Sequence, residues 1–116
     1  MAKITPKDFT KNLQEVTHQV TEQIMKVSPK TGNEYQAEVI KKLRVHAVSS
    51  PSEKNGKYVY SIIDTKNDLE YSITAPNHVE AKFAAQLEFT NVTGGLLNTG
   101  IVWFSADSVA IIPRNA

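Results

Sequence analysis

Cysteine is missing from this sequence, and so is any long apolar segment. Without cysteine there is neither a disulfide framework nor a thiolate metal site. No apolar run approaches the length of a transmembrane helix. Residues 1–6 contain no apolar stretch behind Lys3, so we expect no signal peptide. These absences predict a cytoplasmic protein that does not contact a membrane.

Catalytic and metal-binding motifs are missing as well. His18, His46 and His78 have no acidic or cysteine partner at the spacing of metal ligands. Gly94 and Gly95 are not followed by the Lys and Ser/Thr of a phosphate-binding loop. We therefore expect neither an enzyme nor a bound metal or cofactor.

A strong excess of one charge is also missing, since the net charge is +1. The two halves nevertheless differ. Residues 1–57 carry ten Lys/Arg against six Asp/Glu, whereas residues 58–116 carry three against six. This asymmetry predicts one basic face and an anionic partner. The alternative is that the lysines only solvate an exposed sheet edge.

What is present indicates one folded domain. The 116 residues suffice for a single core, and 41% of them are hydrophobic, as in globular proteins. We expect a single domain over residues 1–116, with an N-terminal helix in 1–28 and a β-barrel in 35–113.

The N-terminal pattern predicts a helix of about six turns. Thr5 and Pro6 suit its start, and Ser28 with Pro29 suits its end. Its narrow apolar stripe either packs on the domain or pairs with another subunit as a coiled-coil seam. Glu22 and Lys26 would pair on its outer side. The stripe consists of Phe9, Leu13, Val16, Val20, Ile24 and Val27.

A tyrosine-rich hairpin follows later in the chain. Residues 57–64 and 69–74 are rich in Tyr, Val and Ile, and a turn over 65–68 joins them. Residues 34–50 fit either a helix or a strand, and we favour a strand from about Val39 to Ser49. We expect one or two helical turns in residues 79–85, a strand in residues 86–92 and a loop in residues 93–100. Residues 101–105 and 109–112 predict a last, interrupted strand, with Trp103 in the core.

Five short strands with a helix between the third and fourth give the connectivity of an OB-fold. The predicted fold class is therefore mainly β: a five-stranded OB-fold-like barrel preceded by one amphipathic helix. This fold binds oligonucleotides on strands two and three, between the loops that join strands one to two and four to five. Those loops correspond here to residues 50–56 and 93–100.

Four segments carry a resemblance to a known family. Residues 58–64, 69–76, 87–92 and 104–109 resemble small OB-fold single-stranded-DNA-binding accessory proteins of Gram-positive phages, conjugative plasmids and transposons. The resemblance covers residues 39–113. It implies non-sequence-specific binding of single strands during replication or conjugative transfer, with the preference for DNA or RNA left open.

Single strands are held by aromatic rings that stack on bases and by basic side chains along the backbone. Tyr58 and Tyr60 on one strand, with Tyr71 on the next, predict a stacking platform, although such rings also pack into cores. Leu96 and Leu97 are predicted to wedge against bases, to meet a partner subunit or to fold onto the core. The candidate phosphate contacts are Lys42, Arg44, His46, Lys54, Lys57 and Lys66.

A second function class fits the same sequence. A protein-interaction or phage structural module would use the N-terminal helix and a sheet edge to build a homo-oligomer.

Overall fold

The structure is a computed structural model, and it describes residues 2–4, 13–17, 19–28, 30–96 and 99–113. No helix in these ranges is long and apolar enough to cross a membrane. The elements in chain order are β1 (Ala2–Lys3), α1 (Leu13–Thr17), β2 (Glu22–Val27), β3 (Glu34–Ala47), β4 (Ser52–Lys54), β5 (Lys57–Asp64), β6 (Leu69–Ala75), β7 (Gln86–Leu96), β8 (Val102–Ser105) and β9 (Ser108–Ile111).

Five of the strands close into a barrel. β3 pairs with β5, β5 with β6, β6 with β8, β8 with β7, and β7 returns to β3. Only β6 and β8 run parallel within this ring, while β9 continues the last strand along β7. The mainly β fold class, with an OB-fold-like barrel and a short N-terminal helix, is confirmed.

Alternation along the strands fills the barrel interior. Tyr60 and Ile62 of β5, for example, are fully buried between more exposed neighbours. Asn55 and Gly56 take positive φ values of 54° and 79°, the turn geometry that suits the two-residue β4–β5 hairpin. The other fully buried large side chains of this core are Phe89, Ile40, Leu43, Ile73, Leu87, Val45 and Val92.

The predicted six-turn helix is wrong over residues 22–27, which form a strand. Among the described residues, Leu13–Thr17 is helical, and Glu38 accepts hydrogen bonds from the backbone N–H of Leu13 (3.0 Å) and of Gln14 (3.3 Å). Residues 22–27 form a strand that pairs with residues 34–39 of β3. The backbone hydrogen bonds to β3 outweigh the helical spacing of the apolar residues, although Val27 remains 61% exposed in the strand. Phe9 lies outside the described residues.

Salt bridges follow the strand arrangement. Glu22 pairs with Lys41 (3.6 Å) and Lys26 with Asp107 (3.8 Å), so the predicted contact between Glu22 and Lys26 does not form. Side chains four residues apart lie on one face of a strand but too far apart for an ion pair.

Three further boundaries differ from the sequence-based expectations. The ambiguous residues 34–42 are strand, because β3 starts at Glu34. Residues 79–85 contain no helix: the Ala84 N–H and the Ala85 carbonyl bond to Ala47 of β3, and only a turn remains, closed by the Ala85 N–H on the Lys82 carbonyl. β7 continues through Gly94 and Gly95, where the missing side chains leave room for the rings of β8.

Candidate nucleic-acid interface

Two of the three predicted stacking tyrosines lie in the core. Tyr60 is fully buried, and its hydroxyl donates to the carbonyl of Asn77 (2.9 Å) and accepts from the N–H of Val79 (2.9 Å). Tyr71 is 7% exposed and packs on Phe104, with 4.6 Å between ring centroids. Their rings are therefore not available to a base, and the predicted platform is wrong at these positions.

Tyr58 lies at the margin of the same interior. Its half-buried ring meets the exposed His78 edge-on, with 5.0 Å between centroids. Tyr58, Tyr60 and Ile62 share one face of β5, and that face points inward. The predicted role of Tyr58 in base stacking stays a prediction, since part of its ring remains accessible.

Burial also changes the acidity of the two core tyrosines. Loss of solvent raises the pKa of the Tyr60 hydroxyl, and it raises the pKa of the Tyr71 hydroxyl more strongly. The nearby carboxylate of Asp64 adds to the rise in the pKa of Tyr71. The Tyr71 hydroxyl has no hydrogen-bond partner within the part of the chain that the structure describes. Both hydroxyls stay protonated at neutral pH.

The outer face of β5, β6 and β8 carries a different set of side chains. Ser61 lies opposite Ser72, and Thr74 lies between Val59 of β5 and Ser105 of β8. Because side chains alternate, Ser72 and Thr74 share the outer side with Ser105 and Trp103. We call the surface formed by Ser61, Ser72, Thr74, Ser105 and Trp103 the hydroxyl face.

Trp103 is the exposed ring of this surface. The prediction that Trp103 lies in the core is wrong, because Phe104 takes the inward position and leaves Trp103 38% exposed. The indole lies against Gly95, where an added Cβ would stand 3.1 Å from the ring atom Cζ2. One side of the ring is thus covered by backbone, while part of the ring remains open to solvent. An open ring on a rigid strand suits stacking on a base.

A groove adjoins the hydroxyl face. It has a volume of about 370 Å³, and Ser61, Ser72 and Val102 contribute to its wall. Lys3 of β1 and Glu70 of β6 bring opposite charges to its rim. The groove therefore offers hydroxyl groups and apolar surface with little net charge.

The predicted phosphate contacts fall into two groups. Lys42 and Arg44 lie on β3 opposite Thr90 and Glu88 of β7, on a different part of the barrel wall, whereas His46 lies between Gln86 of β7 and Ile63 of β5. The guanidinium of Arg44 donates to Glu88 (3.0 Å), so its charge is paired.

The second group flanks the hydroxyl face. Lys54 and Lys57 lie opposite each other at the tip of the β4–β5 hairpin, and Lys66 lies in the turn at the other end of β5. All three are exposed, and none forms an ion pair with a residue that the structure describes. The structure thus places basic side chains at both ends of β5.

The predicted wedge of two leucines is only partly within the described residues. Leu96 ends β7 opposite Val102, and Leu97 lies outside the described ranges. The wedge stays a prediction.

The sequence contained a signal that Trp103 is exposed, which the sequence analysis did not use. Two adjacent glycines can accommodate two adjacent aromatic rings on a neighbouring strand, as Gly94 and Gly95 accommodate Phe104 and Trp103.

Over the described ranges, no group of three or more His, Cys, Asp or Glu side chains is arranged to hold a metal ion. No family model matches the chain, and no curated protein or solved structure shows significant similarity to it.

Proposed function

We propose that this protein binds single-stranded nucleic acid, DNA in the first instance, across the hydroxyl face. The bases run along β5, β6 and β8, one of them stacks on Trp103, and the lysines at the two ends of β5 contact phosphates. The binding is non-sequence-specific, because stacking accepts every base. The resemblance of residues 39–113 adds a role in replication or transfer of a phage or mobile element.

The exposed ring of Trp103 is the observation that carries this proposal. It is fixed on the last barrel strand between Val102 and Phe104, and these two neighbours line the groove at strands two and three of the OB-like barrel. The hydroxyl groups around it can bond to base edges and phosphates without repelling either.

The modest charge sets the expected salt dependence. If Lys3, Lys54, Lys57 and Lys66 each contact one phosphate, log K falls against log salt with a slope of about −3, at roughly −0.7 per contact. Such binding is measurable at low salt and weak at physiological salt. A strongly basic protein would give a steeper slope.

The test is a fluorescence-anisotropy titration of a labelled thirty-mer at about 50 and about 200 mM salt. We expect micromolar or tighter binding at low salt, and a loss of about 1–3 kcal/mol in binding free energy for Trp103→Ala. Tyr35→Ala is the matched control, because Tyr35 is an exposed aromatic residue on the β2–β3 hairpin, away from the hydroxyl face. No binding at low salt, or an equal loss in both variants, would overturn the proposal.

A further inference from the structure

We propose that two copies of this chain associate edge to edge through β2. The two β2 strands pair antiparallel about a two-fold axis at Ile24, which joins the two β2–β3 hairpins into one four-stranded sheet. This interaction is independent of the nucleic-acid binding proposed above. Its occupant is a second copy of the same chain.

The edge of β2 is suited to pairing. Within the described ranges β2 pairs with β3 alone, so its other edge presents backbone N–H and C=O groups along six residues. Met25 is 57% exposed and Val27 is 61% exposed, and neither proline nor glycine interrupts the strand. An unpaired edge with exposed apolar side chains is a template for another strand.

Charge complementarity selects both the occupant and the register. Glu22, Ile24 and Lys26 lie on one face of β2, with Ile24 midway between the two charges. When Ile24 meets Ile24 of the second copy, Glu22 of each copy lies opposite Lys26 of the other. Moving the centre to Gln23 or to Met25 loses both charge pairs.

The salt bridges within each copy extend this pattern. Lys41 already contacts Glu22 (3.6 Å), and Asp107 already contacts Lys26 (3.8 Å). Across the interface the charges therefore alternate along Lys41, Glu22, Lys26 of the second copy and Asp107 of the second copy. Networks of alternating charges contribute more than isolated surface pairs.

The exposed apolar residues on the opposite face of β2 are also covered in the same register. Met25 lies opposite Gln23 of the second copy, and Val27 lies opposite Thr21. The two Met25 side chains are diagonal neighbours across the interface, and long side chains can reach each other over the distance between diagonal positions. Because a two-fold interface uses the same edge on both copies, assembly stops at the dimer.

The experiment is light scattering coupled to size exclusion, on the full chain without nucleic acid. Wild type is expected to dimerise at high protein concentration. Glu22→Lys and Lys26→Glu each place like charges opposite one another twice, so each is expected to weaken the dimer about tenfold or more. The double variant Glu22→Lys/Lys26→Glu restores opposite charges across the interface and is expected to regain most of the dimer.

The double variant separates the interface from the salt bridges within one copy, because it breaks the contacts to both Lys41 and Asp107. Glu34→Lys is the matched control: Glu34 is an exposed glutamate on β3 that lies opposite Val27, away from the open edge. Thermal melts establish that every variant is folded. A monomeric wild type, single variants that dimerise normally, or a double variant no better than the singles would each overturn the proposal.

Discussion

The indole ring of Trp103 lies across Gly95 on the neighbouring strand. An added Cβ at Gly95 would stand 3.1 Å from Cζ2 and 3.2 Å from Cε2 and Nε1 of the ring. The position of the exposed ring thus depends on a glycine in the paired strand β7. This relationship connects the packing of the barrel wall to the proposed binding surface.

Gly95→Ala is expected to tilt the Trp103 ring, because a methyl group at this distance pushes it outward by a few tenths of an ångström. The ring is partly exposed and can yield, so we expect little change in the free energy of unfolding. Trp103 is the one tryptophan in the sequence, and its emission spectrum reports the tilt directly. We expect a shifted emission and weaker oligonucleotide binding. Unchanged emission together with unchanged affinity would contradict this coupling.

Gly94→Ala is expected to behave differently at the adjacent position. Its Cβ would stand 2.6 Å from Cδ1 of Phe104, a ring that is 4% exposed and packs on Tyr71. Because a buried ring cannot move aside freely, we expect a loss of about 1–3 kcal/mol in the free energy of unfolding. Urea denaturation of the two alanine variants side by side measures the contrast. A Gly94→Ala protein as stable as wild type would show that the Phe104 ring is not fixed.

The two core tyrosines are expected to respond differently to loss of the hydroxyl group. Tyr60→Phe removes a partner from both the Asn77 carbonyl and the Val79 N–H, so we expect a loss of about 1–3 kcal/mol in stability. Tyr71→Phe removes a buried hydroxyl that has no partner among the described residues, so we expect no loss. Chemical denaturation measures both. Equal destabilisation would indicate that the Tyr71 hydroxyl does bond to a residue outside those ranges.

The raised pKa values predict a loss of stability at alkaline pH. In the unfolded chain a tyrosine deprotonates near its ordinary pKa of 10.0, while the folded protein holds Tyr71 protonated beyond that pH. Because the folded state then binds more protons, stability falls as pH rises above about 10, by up to about 1.4 kcal/mol per pH unit per tyrosine. Unfolding curves at about pH 9 and about pH 11 test this. Tyr71→Phe should show a shallower fall, and an unchanged fall would contradict the assignment to Tyr71.

From the sequence, the strands and turns of this fold could be predicted better than the face that each strand turns toward the barrel interior. The β5–β6 hairpin could be predicted because β-branched and aromatic residues flank a turn of Lys66, Asn67 and Asp68. Period-two alternation fixes which side chains share a face, but not which face is inward. Tyr60 and Ile62 alternate with Val59 and Ile63, so both faces of β5 are apolar in part, and the inward direction is set by strands far away in sequence.

Long-range partners explain the remaining errors. The apolar residues of 20–27 fit a helical stripe, and it is the pairing of residues 22–27 with residues 34–39 of β3 that makes this segment a strand. The lysines of the first loop and of the β5–β6 turn could be placed from local patterns. The pairing of Arg44 with Glu88 could not, because 44 residues separate them in the sequence.

The most direct test of the proposed function is a titration of the Trp103 emission with an unlabelled thirty-mer. A base stacked on the ring should quench the emission, with a midpoint equal to that of the anisotropy titration, and added salt should reverse the quenching. Binding detected by anisotropy without any change in the Trp103 emission would contradict the hydroxyl face as the binding surface. An emission unchanged at low salt, with no binding by anisotropy either, would contradict nucleic-acid binding altogether.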